Sequence, residues 1–251
     1  MKILLTNDDG IDSPAFPLLL AVLCGAGHDC SVVAPDKNSS AIAAALTLYA
    51  PLRAVPYLFP DFPNVPAYAV SGTPVDCVRL ALGNLVSAPD LVLSGVNLGP
   101  NLGSDTLYSG TCAAAQEAAV RGIPAAALSA GTHAPQCLDA AASFALQAIE
   151  MLQTNPPPED AYYNINIPDA PQGEWKGVKQ SGLAVVRHPN EYVHCTDPRG
   201  RDYYWAPGNF NIHDACQDRG NTDIRWLREG WVTVTVMGWR NNVQCTTHNA
   251  Q

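Results

Sequence analysis

The sequence predicts an α/β fold built on a doubly wound, mostly parallel sheet. Short apolar runs typical of buried strands alternate with helical patterns along most of the chain. Several of these strands end in small polar residues, as strands do where loops at one edge of a sheet form a binding crevice. The chain has no internal repeat and no linker long enough to divide it, so we expect a single domain over residues 1–251.

The first strand is predicted at residues 3–5, and Asn7, Asp8, Asp9 and Gly10 follow it. Two adjacent carboxylates at a sheet edge repel each other and are poorly solvated. A hard divalent cation such as magnesium or manganese would relieve both problems. A solvated Asn-Asp-Gly turn that caps the next helix, predicted at about residues 16–24, explains the same residues. Both interpretations are open at this point.

The second strand is predicted at residues 31–35, and a small polar loop containing Ser39 follows it. Taken alone, this loop is best interpreted as an ordinary polar connection. Residues 41–50 fit either a helix or an extended segment. Residues 51–67 contain many prolines and no periodicity, so they predict an irregular segment.

A strand at residues 68–70 leads into a helix predicted to end at Leu85. Thr73 suits the N-cap of this helix, Pro74 its first position and Asp76 its first turn. The pattern favours a capping role for Thr73 and Asp76 over direct catalysis.

The strand predicted at residues 89–94 opens into a loop, residues 95–103, with three glycines and two asparagines. Glycines allow the backbone to approach a ligand closely. Asn97 offers an oxygen to a metal or an amide group to a phosphate. Because the ends of neighbouring parallel strands lie side by side, we expect Asp8, Asp9, Ser39 and Asn97 to converge on one crevice.

Ser109, Gly110 and Thr111 precede an alanine-rich helix predicted at residues 112–121. Backbone N–H groups, hydroxyls and the helix dipole make such a start a phosphate site. A simple Ser/Thr cap without a ligand is the commoner use of this pattern. The glycine-rich loop just upstream favours phosphate here.

The remaining pattern predicts a core of about residues 1–185 and an appendage of about residues 186–251. The core continues with strands at 124–129, 163–168 and 178–186 and a helix at 136–152, and a further strand is predicted at 231–236. Residues 187–205 are rich in charged and aromatic side chains and predict a projecting hairpin. Tyr203 to Trp205 would cap this hairpin, and the aromatic side chains suggest contact with a partner chain or a base.

Composition excludes several classes of function. The net charge of -9 argues against binding a nucleic acid polymer or an anionic membrane. No apolar stretch is long enough to span a bilayer, and the apolar run after Lys2 is too short for a signal peptide. The eight cysteines include no Cys-x-x-Cys pair, which disfavours zinc and fits reduced thiols. We therefore expect a cytoplasmic protein.

Together these motifs resemble the survival protein SurE family of acid phosphatases and nucleotidases. The resemblance rests on the Asn-Asp-Asp-Gly start, the Ser39 loop, residues 71–78, residues 94–103 and Tyr-Ser-Gly-Thr at 108–111, and it runs in order through most of the chain. It implies a Rossmann-like core, a projecting β-hairpin and a C-terminal segment used in dimerisation. It also implies hydrolysis of nucleoside 5′- or 3′-monophosphates with one divalent metal ion per subunit, manganese or magnesium.

The resemblance assigns roles to individual residues. The family's metal ligands correspond to Asp8, Asp9, Ser39 and Asn97, and Asp8 or Asp9 would also orient or deprotonate the attacking water. The phosphate-binding residues would be Asn101, Ser109, Gly110 and Thr111. Two departures stand out. The loop reads Asn-Ser-Ser-Ala at residues 38–41, where the family usually has a glycine after the second polar residue, and the short region after Val236 lacks the usual continuation.

We therefore expect a metal-dependent phosphomonoesterase that acts as a homodimer, with a tetramer as the larger alternative. A non-catalytic nucleotide-binding stress-response module is the first rival hypothesis. A Rossmann oxidoreductase is disfavoured, because no Gly-x-Gly-x-x-Gly follows the first strand and two acids would repel a pyrophosphate.

Overall fold

The computed structural model describes residues 1–187, 192–206 and 220–239. Eleven strands lie within these residues. They are β1 (Lys2–Thr6), β2 (Asp29–Pro35), β3 (Ala54–Pro56), β4 (Ala67–Val70), β5 (Leu91–Asn97), β6 (Ala125–Ala130), β7 (Ala161–Ile167), β8 (Val178–Gln180), β9 (Val193–Thr196), β10 (Asp202–Trp205) and β11 (Val232–Gly238).

Nine of the strands form one mixed sheet in the order β3-β4-β2-β1-β5-β6-β7-β11-β8. The six strands from β4 to β7 in this order are parallel. β3 and β11 run antiparallel to β4 and β7. The chain builds outward from β1 through β2 to β4 and then returns to the other side of β1 with β5. This reversal confirms the doubly wound α/β fold, and it places the topological switch point between β1 and β5.

Helices cover both faces of the sheet. They are α1 (Ala15–Gly25), α2 (Pro74–Leu80), α3 (Gly110–Val120), α4 (Leu138–Thr154) and α5 (Asp223–Arg228). The side chains of β1 alternate between two hydrophobic layers, because neighbouring residues of a strand face opposite sides. Ile3 and Leu5 join the layer of α1 and α4, whereas Leu4 joins the layer of α2 and α3. The sheet is thus largely apolar on both faces, while β7 and β11 also carry buried polar side chains, among them Asn164, Asn166 and Thr233.

The structure corrects the sequence predictions at several elements. The proline-rich segment 51–67 contains β3, a three-residue edge strand that tolerates its terminal Pro56. The helix predicted to end at Leu85 changes into a π-helical turn at Ala81–Leu85, where Gly83 and Asn84 weaken the helix.

The strand predicted at residues 178–186 ends at Gln180, because the backbone beyond Gly182 bonds to other loops: the Val186 N–H donates to Ser104 Oγ. α5 and a 3₁₀ turn at Gly103–Leu107 were not predicted. Both are too short to give a periodic signal.

The projecting hairpin is present. β9 and β10 pair antiparallel with each other and join no strand of the large sheet. The predicted C-terminal dimerisation segment extends into residues 240–251, which lie outside the described residues, so it stays a prediction. None of the described helices has the length and apolar character needed to cross a membrane.

Candidate active site

The candidate site lies at the carboxyl ends of β1 and β5, where the strand order reverses. Asp8 and Asp9 follow β1, and Asn97 is the last residue of β5 rather than part of the loop beyond it. The two strands pair in register, with Thr6 opposite Ser94. The sheet therefore brings the acidic pair and the asparagine to the same crevice.

The Asn7 side chain builds the turn that presents the two carboxylates. Its oxygen accepts from the Gly10 N–H at 3.1 Å, and its amide group donates to the Gly10 carbonyl at 3.0 Å. Gly10 has a φ of +103° and packs so closely on the next loop that a Cβ would lie 3.1 Å from the Lys37 carbonyl carbon. That loop then returns to the turn, since the Ser39 N–H donates to the Asp8 carbonyl at 2.7 Å. The structure thus brings Ser39 beside Asp8.

Asp8 is buried against the start of α3. The Thr111 hydroxyl donates a hydrogen bond to Asp8 Oδ1. Gly110 is required for this approach, because a Cβ there would lie 2.8 Å from the Asp8 Cβ and 3.0 Å from Oδ2. Burial raises the pKa of Asp8 above its ordinary value of 3.8, and hydrogen bonds from Thr111 and Gly110 offset only part of that rise.

Asp9 is less buried and faces the other wall of the crevice. Its Oδ2 accepts the Leu98 N–H at 3.1 Å, which ties the acidic turn to the loop after β5. Burial is the main reason that the pKa of Asp9 rises to about 6; the Asp8 charge adds to the rise, and the Leu98 hydrogen bond and His133 oppose it. Two neighbouring carboxylates therefore share a crevice that favours their neutral forms.

The donor set fits a hard divalent cation. Among the described residues no cluster of three or more His, Cys, Asp or Glu side chains could hold a metal, so a cation here would need neutral oxygens as well as Asp8 and Asp9. Asn97 suits this need, because its amide nitrogen donates to the Gly99 carbonyl at 2.7 Å, which fixes the side chain, and its amide oxygen is a neutral ligand of the required kind. Thr6 and Ser94, which pair across β1 and β5, are buried, and their hydroxyls find no hydrogen-bond partner among the described residues.

Ser109 and Thr111 already have partners within the protein. Ser109 is the N-cap of α3, and its hydroxyl accepts the Cys112 N–H at 3.0 Å. Gly110 and Thr111 are the first two residues of the helix, which therefore begins two residues earlier than the sequence predicted. Since the Thr111 hydroxyl donates to Asp8, this helix start also fixes a carboxylate. A phosphate role for these residues stays a prediction.

Asn101 is held by polar side chains of β6 and β7 rather than by the acidic pair. Its amide group donates to Ser129 Oγ at 2.8 Å, its N–H donates to Asn166 Oδ1 at 2.8 Å, and its carbonyl accepts from Asn164 and Asn166. These contacts hold the loop after β5 onto β6 and β7. The buried Asn164 and Asn166 were not predicted as supports. Their alternation with Ile165 in β7 was the available signal.

Thr73 and Asp76 form the predicted cap of α2. The Thr73 hydroxyl accepts the Asp76 N–H at 3.1 Å, and the Asp76 carboxylate accepts the Thr73 N–H at 3.0 Å. This reciprocal capping box confirms the capping interpretation.

The family model described as survival protein SurE matches residues 3–190. The chain belongs to the SurE family. Among curated relatives, the protein named 5′-nucleotidase SurE from Nostoc sp. is 45% identical over 245 residues, covering 94% of this chain and 91% of the relative. The protein of the same name from Cyanothece sp. is 43% identical over 241 residues, covering 94% and 89%.

A solved SurE structure gives the same picture of the fold. The SurE protein from Aquifex aeolicus superposes with a TM-score of 0.79 at 34% identity, covering 96% of this chain and 95% of that one. The SurE resemblance inferred from the motifs is thus confirmed by matches that cover 94–96% of the chain.

Proposed function

We propose that this chain is a divalent-metal-dependent nucleotidase that hydrolyses nucleoside 5′- or 3′-monophosphates to nucleoside and phosphate. Relatives that share 43–45% of its residues are named 5′-nucleotidase SurE. The observation that carries the proposal is the pair of adjacent carboxylates, Asp8 and Asp9, held in a crevice that raises the pKa of both. Carboxylates kept in such a setting are typical of a functional site.

Asp8, Asp9, Ser39 and Asn97 are the residues that would hold one divalent cation, manganese or magnesium. When bound, the cation would supply Lewis-acid activation of a water and would neutralise charge on the phosphoryl group. Both tasks suit a protein whose own net charge is -9 and which must attract an anionic substrate.

The protein's own groups would position the substrate and the water. The N-terminus of α3, with Ser109, Gly110 and Thr111, favours an anion through its dipole. The Thr111 hydroxyl fixes Asp8. Asp9 is the better candidate to orient the attacking water, because the Leu98 N–H engages its Oδ2 and the residue is less buried than Asp8.

Phosphate release tests this proposal directly. Purified chain is incubated with 5′-AMP and 3′-AMP, without metal, with Mn²⁺ and with EDTA. We expect phosphate release with at least one substrate in Mn²⁺, and its loss in EDTA. A chain that binds AMP with Mn²⁺ but releases no phosphate would instead be a nucleotide-binding module, and the enzymatic proposal would be wrong.

We also propose that the hairpin forms a homodimer interface. Val193, Tyr204 and Trp205 are exposed on it in the single chain, which is a large apolar surface for two short strands. Replacing Tyr204 and Trp205 together by serine should shift the mass measured by light scattering from dimer to monomer. An unchanged dimer would place the interface elsewhere.

A further inference from the structure

The turn at Leu98–Gly99 bonds to two residues of the candidate site, Asp9 and Asn97. The Leu98 N–H donates to Asp9 Oδ2 at 3.1 Å, and the Gly99 carbonyl accepts the Asn97 amide group at 2.7 Å. The Gly99 N–H also donates to the Asn97 carbonyl at 3.0 Å. Any rotation of this turn would therefore displace the partners of both Asp9 and Asn97.

His133 holds this turn from outside. Its ring Nδ1 lies 3.1 Å from the Leu98 carbonyl oxygen. Since a carbonyl can only accept, Nδ1 must carry the proton in this contact. The ring packs so tightly on Gly99 that a Cβ there would lie 2.2 Å from Nδ1. The contact thus depends on a glycine at residue 99.

The loop that carries His133 is itself anchored. Asp169 Oδ1 accepts the Gln136 and Cys137 N–H groups, each at 2.8 Å, and the Thr132 hydroxyl donates to Asp169 Oδ2 at 3.4 Å. The loop between β6 and α4 is therefore fixed on both sides of His133. An exposed histidine on an anchored loop can support the Leu98–Gly99 turn at little cost in side-chain entropy.

We propose that His133 is a positioning residue for the metal site: its Nδ1–H holds the Leu98 carbonyl, and this contact directs the Leu98 N–H to Asp9 and keeps the Asn97 oxygen in the crevice. The inference rests on the proposed metal site. It assigns His133 no contact with substrate and no proton transfer. Outer groups that orient metal ligands commonly tune affinity for the ion.

Titration calorimetry of the full chain with Mn²⁺ tests the proposal. His133→Ala removes the donor, and His133→Gln moves an amide away from the Nδ1 position, so both variants should weaken Mn²⁺ binding about 10-fold. His133→Asn places an amide nitrogen where Nδ1 stood and should bind Mn²⁺ like the wild type. His28→Ala, at the opposite edge of the sheet before β2, is the matched control and should change nothing.

Turnover gives the second measurement. At saturating Mn²⁺ all four variants should reach the wild-type kcat with 5′-AMP, because a positioning role acts on metal occupancy. The proposal is overturned if His133→Ala binds Mn²⁺ like the wild type, or if His133→Asn binds as weakly as His133→Ala. Wild-type protein that binds no Mn²⁺ would instead refute the metal site itself.

Discussion

Asp8 and Asp76 lie at the same edge of the sheet, yet their surroundings lead to opposite results. Asp76 follows β4 and accepts hydrogen bonds from the Thr73 N–H and from both the N–H and hydroxyl of Thr47. Burial alone would raise the pKa of Asp76, but these bonds outweigh it and the pKa falls below its ordinary value. Asp8 is more deeply buried, and its hydrogen bonds from Thr111 and Gly110 do not offset the burial.

The difference shows how one residue type serves two purposes. A carboxylate whose charge is satisfied by the protein stabilises the fold, as Asp76 does at the start of α2. When hydrogen bonds do not offset the cost of burying a carboxylate, the carboxylate can still gain from binding an external cation. Asp9, with one hydrogen bond from Leu98 and a pKa of about 6, belongs with Asp8 in this respect.

Exchanging a carboxylate for an amide in each setting should give the largest contrast. Asp9→Asn should weaken Mn²⁺ binding and lower turnover at low Mn²⁺, each by about 100-fold or more, because a ligand charge is lost. Calorimetry and phosphate release measure the two effects. Asp76→Asn is the control: it should lower the midpoint of urea unfolding and leave Mn²⁺ affinity unchanged. Full turnover of Asp9→Asn at low Mn²⁺ would refute the site assignment.

The pH dependence should differ in sign between the two carboxylates. In the metal-free protein the Asp9 pKa is raised, so its contribution to stability is complete below pH 3.8 and is lost as pH rises through about 6. The Asp76 pKa is lowered, so its contribution is present above pH 3.8 and is lost as pH falls through the lowered value.

The affinity for Mn²⁺ should depend on the protonation of Asp9. Because protons compete with the cation, the Kd for Mn²⁺ should rise about 10-fold per pH unit below pH 6. Calorimetry over a pH series measures this slope. Asp76→Asn should leave the slope unchanged, and a flat profile for the wild type would show that Asp9 does not bind the ion.

Adding one methyl group at the start of α3 should lower turnover, whereas the same change in another helix should not. Gly110→Ala places a Cβ 2.8 Å from the Asp8 Cβ, so Asp8 or the helix start must move. We expect turnover to fall about 10-fold, as it does when supports of a metal site are disturbed. Gly25→Ala, where a Cβ would meet nothing within 4 Å, is the matched control for phosphate release. Equal activity of the two variants would contradict the close packing on Asp8.

The smallest effect should come from the capping box. Thr73→Ala removes the hydroxyl that caps the Asp76 N–H and should lower the free energy of unfolding by about 1 kcal/mol. Urea denaturation measures this change, with Thr73→Ser as the variant that keeps the hydroxyl. The Mn²⁺ affinity of Thr73→Ala should stay at the wild-type value; a weaker affinity would mean that the two settings are coupled.

Much of the fold and the inner part of the site followed from the sequence. The alternation of apolar runs and helices predicted the sheet, and the polar strand ends predicted that Asp8, Asp9, Ser39 and Asn97 would meet, since parallel strands end at one edge. The Thr73 cap could also be predicted, because a capping box is a local sequence pattern.

The parts that escaped prediction depend on contacts distant in sequence. β3 and α5 are too short to show a period. The support of Asn101 by Asn164 and Asn166 joins residues more than sixty positions apart. The contact between His133 and the Leu98 carbonyl also joins residues distant in sequence. No sequence motif marks this contact; it is evident only from the close packing of the ring on Gly99.

A crystal soaked in Mn²⁺ gives the most direct measurement of the central claim. Anomalous diffraction at the manganese edge should show one peak per chain in the crevice between β1 and β5, bounded by Asp8, Asp9 and Asn97. Phosphate release by the same preparation should depend on Mn²⁺. An active preparation whose crystals show no manganese in that crevice would contradict the account.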